Sequence, residues 1–206
     1  MDIRLFQQKL QIVLQKTLPG KDAQKKMAIQ PFRSLPTINS AKKRNAAVLL
    51  LLFQENDDLK FVLTKRTEKM ANHRGQISFP GGAIEDKETK EIAALRETEE
   101  EIGIPPKSVE ILGKLSPLFV PVSGFKMFPI VGWMDEKPTF NLNPIEVEKV
   151  IFVSTQDLKN EQNIQSERHR KYDTDFTIPY FALSGEKIWG ATAMILAEFR
   201  EILLIS

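Results

Sequence analysis

The chain has no cysteine and only two histidines among its 206 residues. The first absence excludes disulfides, thiolate metal sites and a cysteine nucleophile, and it fits a reducing compartment. His73 and His169 have no sequence neighbours suggesting a nucleophilic triad or a zinc site. Long apolar runs are missing too: the longest, "AAVLLLLF" at 46–53, falls far short of the roughly 20 residues that span a bilayer. The N-terminal "MDIRLFQQKLQIVLQKTL" is broken by Gln and Lys every few residues, unlike a secretory signal, and no S-K-L ends the chain. A cytoplasmic protein with no membrane partner is expected. An excess of one charge is also absent, since 29 Lys and Arg against 27 Asp and Glu leave a formal net charge of +2. That balance gives no general attraction for nucleic acid, and no basic patch or nucleic-acid module supplies a local one.

What is present suits a soluble globular chain: 42% hydrophobic and 27% charged residues, enough to bury a substantial core. Leu5, Phe6, Leu10, Ile12 and Val13 recur at helical spacing, predicting an amphipathic N-terminal helix that must pack on something, including a second copy of the chain in a homodimer. The Pro- and Lys-rich stretch at 19–45 reads as an extended connection. From Ala46 the pattern changes to short apolar runs: a central strand, a turn at "ENDD", an antiparallel partner "LKFVLTKR", and later strands in "VEILGKL", "FPIVGWM" and "EKVIFVS". The polar 159–175 stretch reads as a loop or exposed hairpin, and 191–205 as a closing amphipathic helix. Strands with irregularly interspersed helices predict an α/β or α+β layered domain over 41–206, preceded by the helix and connection of 1–40.

The densest feature is "GGAIEDKETKEIAALRETEEEIGI" at 81–104, with seven glutamates and one aspartate against Lys87, Lys90 and Arg96. Residues 88–102 are predicted helical, ended by Gly103 and then Pro105 and Pro106. At about 100° per residue, Ile92, Leu95, Thr98 and Ile102 share a buried side, and Glu97, Glu100 and Glu101 cluster opposite. A solvated acidic face and a site for a hard divalent cation both fit that clustering. The glycines favour the cation, because Gly75, Gly81 and Gly82 bring a tight loop, able to let backbone approach a ligand, directly onto the acidic element.

This segment resembles the signature of the Nudix hydrolase family, G-x5-E-x7-R-E-U-x-E-E-x-G-U with U apolar. Gly82, Glu88, Arg96, Glu97, Glu100, Glu101, Gly103 and Ile104 match it, and Thr98 stands at an apolar position. Upstream, "VLTKRTEKMANHRGQISFPGG" at 62–82 is similar to the extended motif of the coenzyme A pyrophosphatase branch. Leu63, Thr64, Arg66, Gly75 and Phe79 to Gly82 agree with that motif. Val62 is a conservative change, Thr67 replaces Ser or Ala, and Ala71 stands where the motif has Arg, with Arg74 three residues on. "IPYF" and "IWGATAMIL" near the C-terminus also look like this branch.

The resemblance implies an α/β/α sandwich with a mixed sheet and a loop-helix-loop catalytic motif. It also implies hydrolysis of a nucleoside diphosphate linked to another group, assisted by Mg²⁺ or Mn²⁺. Glu97 and Glu101, with Glu100 third, become the expected metal ligands. Arg96 is expected to orient glutamates, with Glu88 as its partner, and the general base to be Glu97 or an outside carboxylate such as Glu146. Gly81 and Gly82 lie against substrate, and Lys65, Arg66 and Arg74 are the cations nearest to hand for the 3′-phosphate of coenzyme A. Coenzyme A or a derivative is the expected small-molecule partner. ADP-ribose, dinucleotides or nucleoside triphosphates, and a silent scaffold that only binds, are the rival readings.

Overall fold

The computed structural model describes residues 3–31, 44–68, 75–121, 123–171 and 174–205. Its centre is β1 (Arg44–Glu55), whose apolar run is buried on both sides. Because side chains alternate across a strand, Val48, Leu50 and Leu52 enter one core and Ala47, Leu49, Leu51 and Phe53 the other. A two-residue turn at Asn56 and Asp57, with Asn56 at φ 55°, returns the chain as antiparallel β2 (Asp58–Arg66). On its other edge β1 runs parallel to β7 (Phe125–Met134), which makes the sheet mixed.

The sheet is completed by β3 (Ile77–Ser78), β4 (Gly81–Ala83), β5 (Glu110–Lys114), β6 (Leu118–Val120) and β8 (Val147–Ser154). On one face lie α1 (Ile3–Leu14), the short α2 (Gly20–Lys25) and α4 (Thr155–Lys159), and α5 (Gly190–Ile205); Phe6, Leu10, Leu14, Leu158, Ile195 and Phe199 join that core. On the other face α3 (Lys90–Ile102) places Ala93, Ala94 and Ile102 against the sheet. The result is the expected α/β/α sandwich. In a separate antiparallel sheet of β9 (Ile164–Lys171), β10 (Thr174–Leu183) and β11 (Glu186–Trp189), the polar stretch from Ile164 to Arg170 forms a largely exposed strand paired with β10, while Glu161–Asn163 before it form a 3-10 turn.

Three details differ from the sequence reading. The connection is not extended from its start: α2 forms at Gly20, and Gln24 within it and Met27 just after it are buried. The apolar stripe of α1 is covered within the same chain, where burial of Phe6, Leu10 and Leu14 contributes about 1.5–3 kcal/mol each. The helix thus packs on its own chain, while Leu5 and Ile12 remain exposed. Finally, α3 is turned by roughly 100° from the expected setting: Ile92 is 53% exposed, whereas Glu101 is only 2% exposed. Two adjacent alanines let the helix approach the sheet closely, and that contact outweighs the pull of Ile92 inward.

The segment that positions the site is the fork between β1 and β2. These strands pair through Leu52↔Phe61 to Glu55↔Asp58 and then splay, and the chain from Ile77 to Ala83 fills the gap. It pairs with β2 at Thr64↔Ser78, crosses at Phe79 and Pro80, and pairs with β1 at Ala47↔Gly82. Pro80 carbonyl accepts from Leu49 N–H at 2.9 Å, so the crossing backbone is anchored to the central strand.

Candidate active site

Thr89 starts α3 by accepting the Ile92 N–H at 3.2 Å, and Gly103 ends it in the left-handed conformation at φ 75°, donating to Glu99 carbonyl at 2.9 Å. The loop between β4 and α3 holds Glu88, one residue before the cap rather than on the helix itself. Arg96 reaches back to it through two bonds, Nε to Oε1 at 2.8 Å and Nη2 to Oε2 at 3.2 Å. The same guanidinium donates to Glu97 Oε1 at 2.9 Å, Glu100 Oε2 at 3.1 Å and Ala83 carbonyl at 3.1 Å. Arg96 thus ties helix to loop. Its guanidinium, followed by the Glu85 N–H, holds the Glu88 carboxyl below the usual range.

Glu97 packs directly on the glycine loop: a β-carbon added to Gly82 would lie 2.3 Å from Glu97 Oε2. Gly81 adopts φ 148°, and a β-carbon there would lie 2.4 Å from Ala47 carbonyl oxygen on β1. Both glycines permit the loop to pass between central strand and carboxylate. Burial pushes the Glu97 carboxyl up, opposed by Arg96 and reinforced by Glu100 and Glu146.

Glu101 is the most perturbed carboxyl of this group. Burial pushes it up to about 8, with Arg66 opposing, Glu146 and Glu97 adding to the rise, and Gly81 N–H opposing. Oε1 faces Arg66 Nη1 at 3.4 Å, while Oε2 is buried with no hydrogen-bond partner. An oxygen in that state is costly unless a cation meets it.

Glu146 arrives from the loop between β7 and β8, which is fastened at both ends. Asn141 and Asn143 donate backbone N–H bonds to Ile102 and Glu101 carbonyls at 3.0 and 2.9 Å, satisfying orphan groups at the end of α3. Thr67 N–H donates to Glu146 carbonyl at 3.0 Å and Thr67 Oγ1 to Ile145 carbonyl at 2.7 Å. Asn143 Oδ1 accepts from Ile145 N–H at 3.1 Å, and its Nδ2 lies 3.5 Å from Glu146 Oε1. Arg66 Nη2 is 3.5 Å from Glu146 Oε2.

The fold therefore brings together Glu97, Glu101, Glu146, Arg66, Gly81 and Gly82, with Arg96 behind them. Glu100 stands at the rim, its side chain 57% exposed and turned to Arg96. Lys65 is drawn to Glu148 Oε1 at 3.4 Å and, as the neighbour of Arg66 on β2, faces away from it. Arg74, with Ala71 and His73, lies outside the described residues. His169 is exposed beside Glu167 on β9. Asn143 was not singled out from sequence and Thr67 stood only as a motif position with no site role; the Asn-Pro pair at 143 and 144 was the one visible turn signal.

Among the described residues no three acidic or imidazole side chains are already gathered as a ligand cage. A hard cation such as Mg²⁺ does not require one, since it commonly takes one or two carboxylates together with waters and substrate phosphates. The unpartnered Glu101 oxygen and the adjacent Glu97 carboxylate suit that ligation.

A profile of the NUDIX domain matches residues 43–176, which contain all of these groups. The chain belongs to the NUDIX domain family. Among curated Nudix relatives, "Nudix hydrolase 15, mitochondrial" of Arabidopsis thaliana is 39% identical over 169 residues, covering 78% of this chain and 59% of the plant protein. A second Arabidopsis relative, "Nudix hydrolase 22, chloroplastic", is 35% identical and is covered over 54% of its length, so the chain spans little more than half of each plant protein. "Uncharacterized Nudix hydrolase NudL" of Photorhabdus laumondii is 32% identical, with 79% of this chain and 86% of that protein covered. The Nudix hydrolase RenU of M. smegmatis shares the fold, with a TM-score of 0.55 at 17% identity over 79% of this chain and 87% of that one. Among the described residues no helix is long and apolar enough to cross a membrane.

Proposed function

We propose that this NUDIX domain hydrolyses the diphosphate of a nucleoside diphosphate linked to another group, with coenzyme A or a derivative as the substrate and Mg²⁺ or Mn²⁺ as the cofactor. The observation that carries the reading is the buried Glu101 oxygen without a partner, beside Glu97 and the Gly81–Gly82 backbone. When bound, the divalent ion would neutralise negative charge gathering on the phosphoryl oxygens. Glu97 and Glu101 would hold it, with Glu100 joining from the rim once released from Arg96.

The protein's own groups then divide the remaining work. Arg96 fixes Glu97 by sharing it with Glu88 and Ala83 carbonyl, so that carboxylate needs no reorganisation. Gly81 and Gly82 let backbone lie close to the diphosphate. Glu146 takes a proton from the attacking water, which adds to one phosphorus as the other phosphate departs with the bridging oxygen. Support for Glu146 is its position: its charge raises both Glu97 and Glu101, so it faces the same space. Arg66, beside Glu101 and Glu146, supplies the positive charge on the same side.

Coenzyme A is favoured by the agreement of Leu63, Thr64, Arg66, Gly75 and Phe79–Gly82 with the extended motif. The products would be 3′,5′-ADP and 4′-phosphopantetheine or its acyl form. Ala71 in place of the motif's Arg favours a second reading, in which ADP-ribose, a dinucleotide or a nucleoside triphosphate is the substrate. Product analysis with coenzyme A, dephospho-coenzyme A, ADP-ribose and a dinucleoside polyphosphate, each with Mg²⁺ or Mn²⁺, separates the two. Preferential cleavage of coenzyme A is expected, and equal or better turnover of the others would defeat the narrower assignment.

A further inference from the structure

Of the cations expected to meet a phosphate outside the diphosphate, Lys65 is paired with Glu148, and Arg66 sits between Glu101 and Glu146. A different set of cations stands on the site's own face of the sheet. The strand register places Gly82, Ala47 and Phe128 side by side on β4, β1 and β7. Residues paired in this way point to one face, and on that face Glu97 covers Gly82. Phe128 therefore lies two strand spacings, about 10 Å, from Gly82. The helix repeats the separation, since Lys90 precedes Glu97 by about 10 Å along α3. Lys90 Nζ lies 4.2 Å and Lys126 Nζ 5.2 Å from the centroid of the Phe128 ring, and Lys114 joins from β5, opposite Ile130. A cavity of about 290 Å³ opens here, walled by Asn45, Ile84, Glu88, Lys90, Glu91 and Lys114. Glu88 is engaged by Arg96, which leaves Glu91 as the acid on this wall against three ammonium groups. Among the described residues none of the three lysines has an acidic partner. An aromatic ring orders an ammonium without cancelling its charge, as an acid would. Lys90 is also the first residue of α3, where the helix dipole disfavours a cation. Stability does not account for this gathering of charge, and an anion does.

We propose that Lys90, Lys114 and Lys126 form a subsite for the phosphate monoester of a 3′-phosphorylated nucleotide, about 10 Å from the carboxylates that face the diphosphate. The inference rests on the proposed function for the position of the diphosphate, and it adds the residues that select the substrate. Each ammonium is a point charge with three donors, so the set accepts a phosphate without demanding one orientation of its oxygens. A nucleotide that lacks the monoester leaves the three charges without a partner and loses that part of the binding.

The test takes two ratios in the presence of Mg²⁺: kcat/KM for coenzyme A over dephospho-coenzyme A, and calorimetric affinity for 3′,5′-ADP over 5′-AMP. Wild type is compared with Lys90→Gln, Lys114→Gln, Lys126→Gln and the charge reversal Lys126→Glu. Lys107→Gln, which alters an exposed lysine beyond the other end of α3, controls for net charge. Wild type should favour the 3′-phosphorylated member of both pairs. Lys90→Gln and Lys126→Gln should each lower both ratios about tenfold, the scale of one charged hydrogen bond, and Lys126→Glu should lower them further. Lys107→Gln should leave them unchanged. Undiminished ratios in folded Lys126→Gln and Lys126→Glu, an equal fall in Lys107→Gln, or a wild type with no preference in either pair overturns the proposal. If the Lys126 variants do not fold, Lys90→Gln and Lys114→Gln decide by the same criterion. A preference for coenzyme A that survives in every variant would leave the substrate reading standing and remove the subsite. A wild type that cleaves no coenzyme A, with a 3′,5′-ADP preference that collapses in the variants, would do the reverse.

Discussion

Replacing Gly82 with alanine should separate catalysis from folding. The new β-carbon would lie 2.3 Å from Glu97 Oε2, 2.4 Å from Cδ and 2.6 Å from Oε1, where ordinary contact begins at 3.4 Å. The carboxylate must therefore retreat by about 1 Å, and as the free end of a side chain it can do so without disturbing α3 or β4. A displacement of that size at a reacting centre costs on the order of 100-fold in rate, or about 2.7 kcal/mol. Stability should change by less than about 1 kcal/mol. Gly81→Ala is the internal control: at φ 148° its β-carbon would meet Ala47 carbonyl oxygen at 2.4 Å and Val48 Cα at 2.6 Å, both backbone atoms of the central strand. That collision has no cheap relief and should cost about 3 kcal/mol or more in stability. The assays are kcat/KM on a diphosphate-linked nucleoside and the urea midpoint for each variant. A Gly82→Ala protein with undiminished kcat/KM, or a Gly81→Ala protein as stable as wild type, would refute the reasoning.

Other outcomes follow from the same geometry. Glu198 on α5 is fully buried and accepts from Gly20 N–H at 3.2 Å, Ser116 N–H at 3.1 Å and Gln24 Nε2 at 2.8 Å. Glu198→Ala should lower stability by about 2–4 kcal/mol, read from urea unfolding, and Glu198→Gln should lose less because it retains an acceptor. Arg96→Lys cannot reproduce the two bonds to Glu88 and should reduce kcat about tenfold or more, with Mn²⁺ still bound. Because burial raises Glu101 to about 8 from its ordinary 4.5, the metal-free fold favours its protonated form. The resulting stabilisation is full below about pH 4.5 and declines as pH rises toward 8. Cation binding reverses that preference, so near pH 7 it should release about one proton, measured by calorimetry in buffers of different ionisation enthalpy; heats independent of buffer would contradict this.

The glutamates, the glycines and the end of α3 could be read from sequence because local rules fix them. Gly103 caps the helix where the 3.6-residue pattern stops, and Arg96 and Glu88 stand at the spacing of the motif. The strand at 46–53 declared itself by an apolar run too short for a membrane and flanked by polar turns. The rotation of α3 was not legible, because periodicity ranks Ile92 above alanine while close helix-to-sheet approach rewards Ala93 and Ala94. Asn143 and Thr67 act through backbone bonds between distant segments, and such bonds leave no compositional trace.

The most direct measurement of the central claim is the stoichiometry and affinity of Mn²⁺ for wild type and for Glu101→Gln and Glu97→Gln, each with a nucleotide product present and native folding verified. Wild type should hold the ion, and each substitution should weaken it at least tenfold, since each removes a charged oxygen ligand beside the glycine loop. Undiminished Mn²⁺ affinity in both variants would place the ion elsewhere and contradict the account.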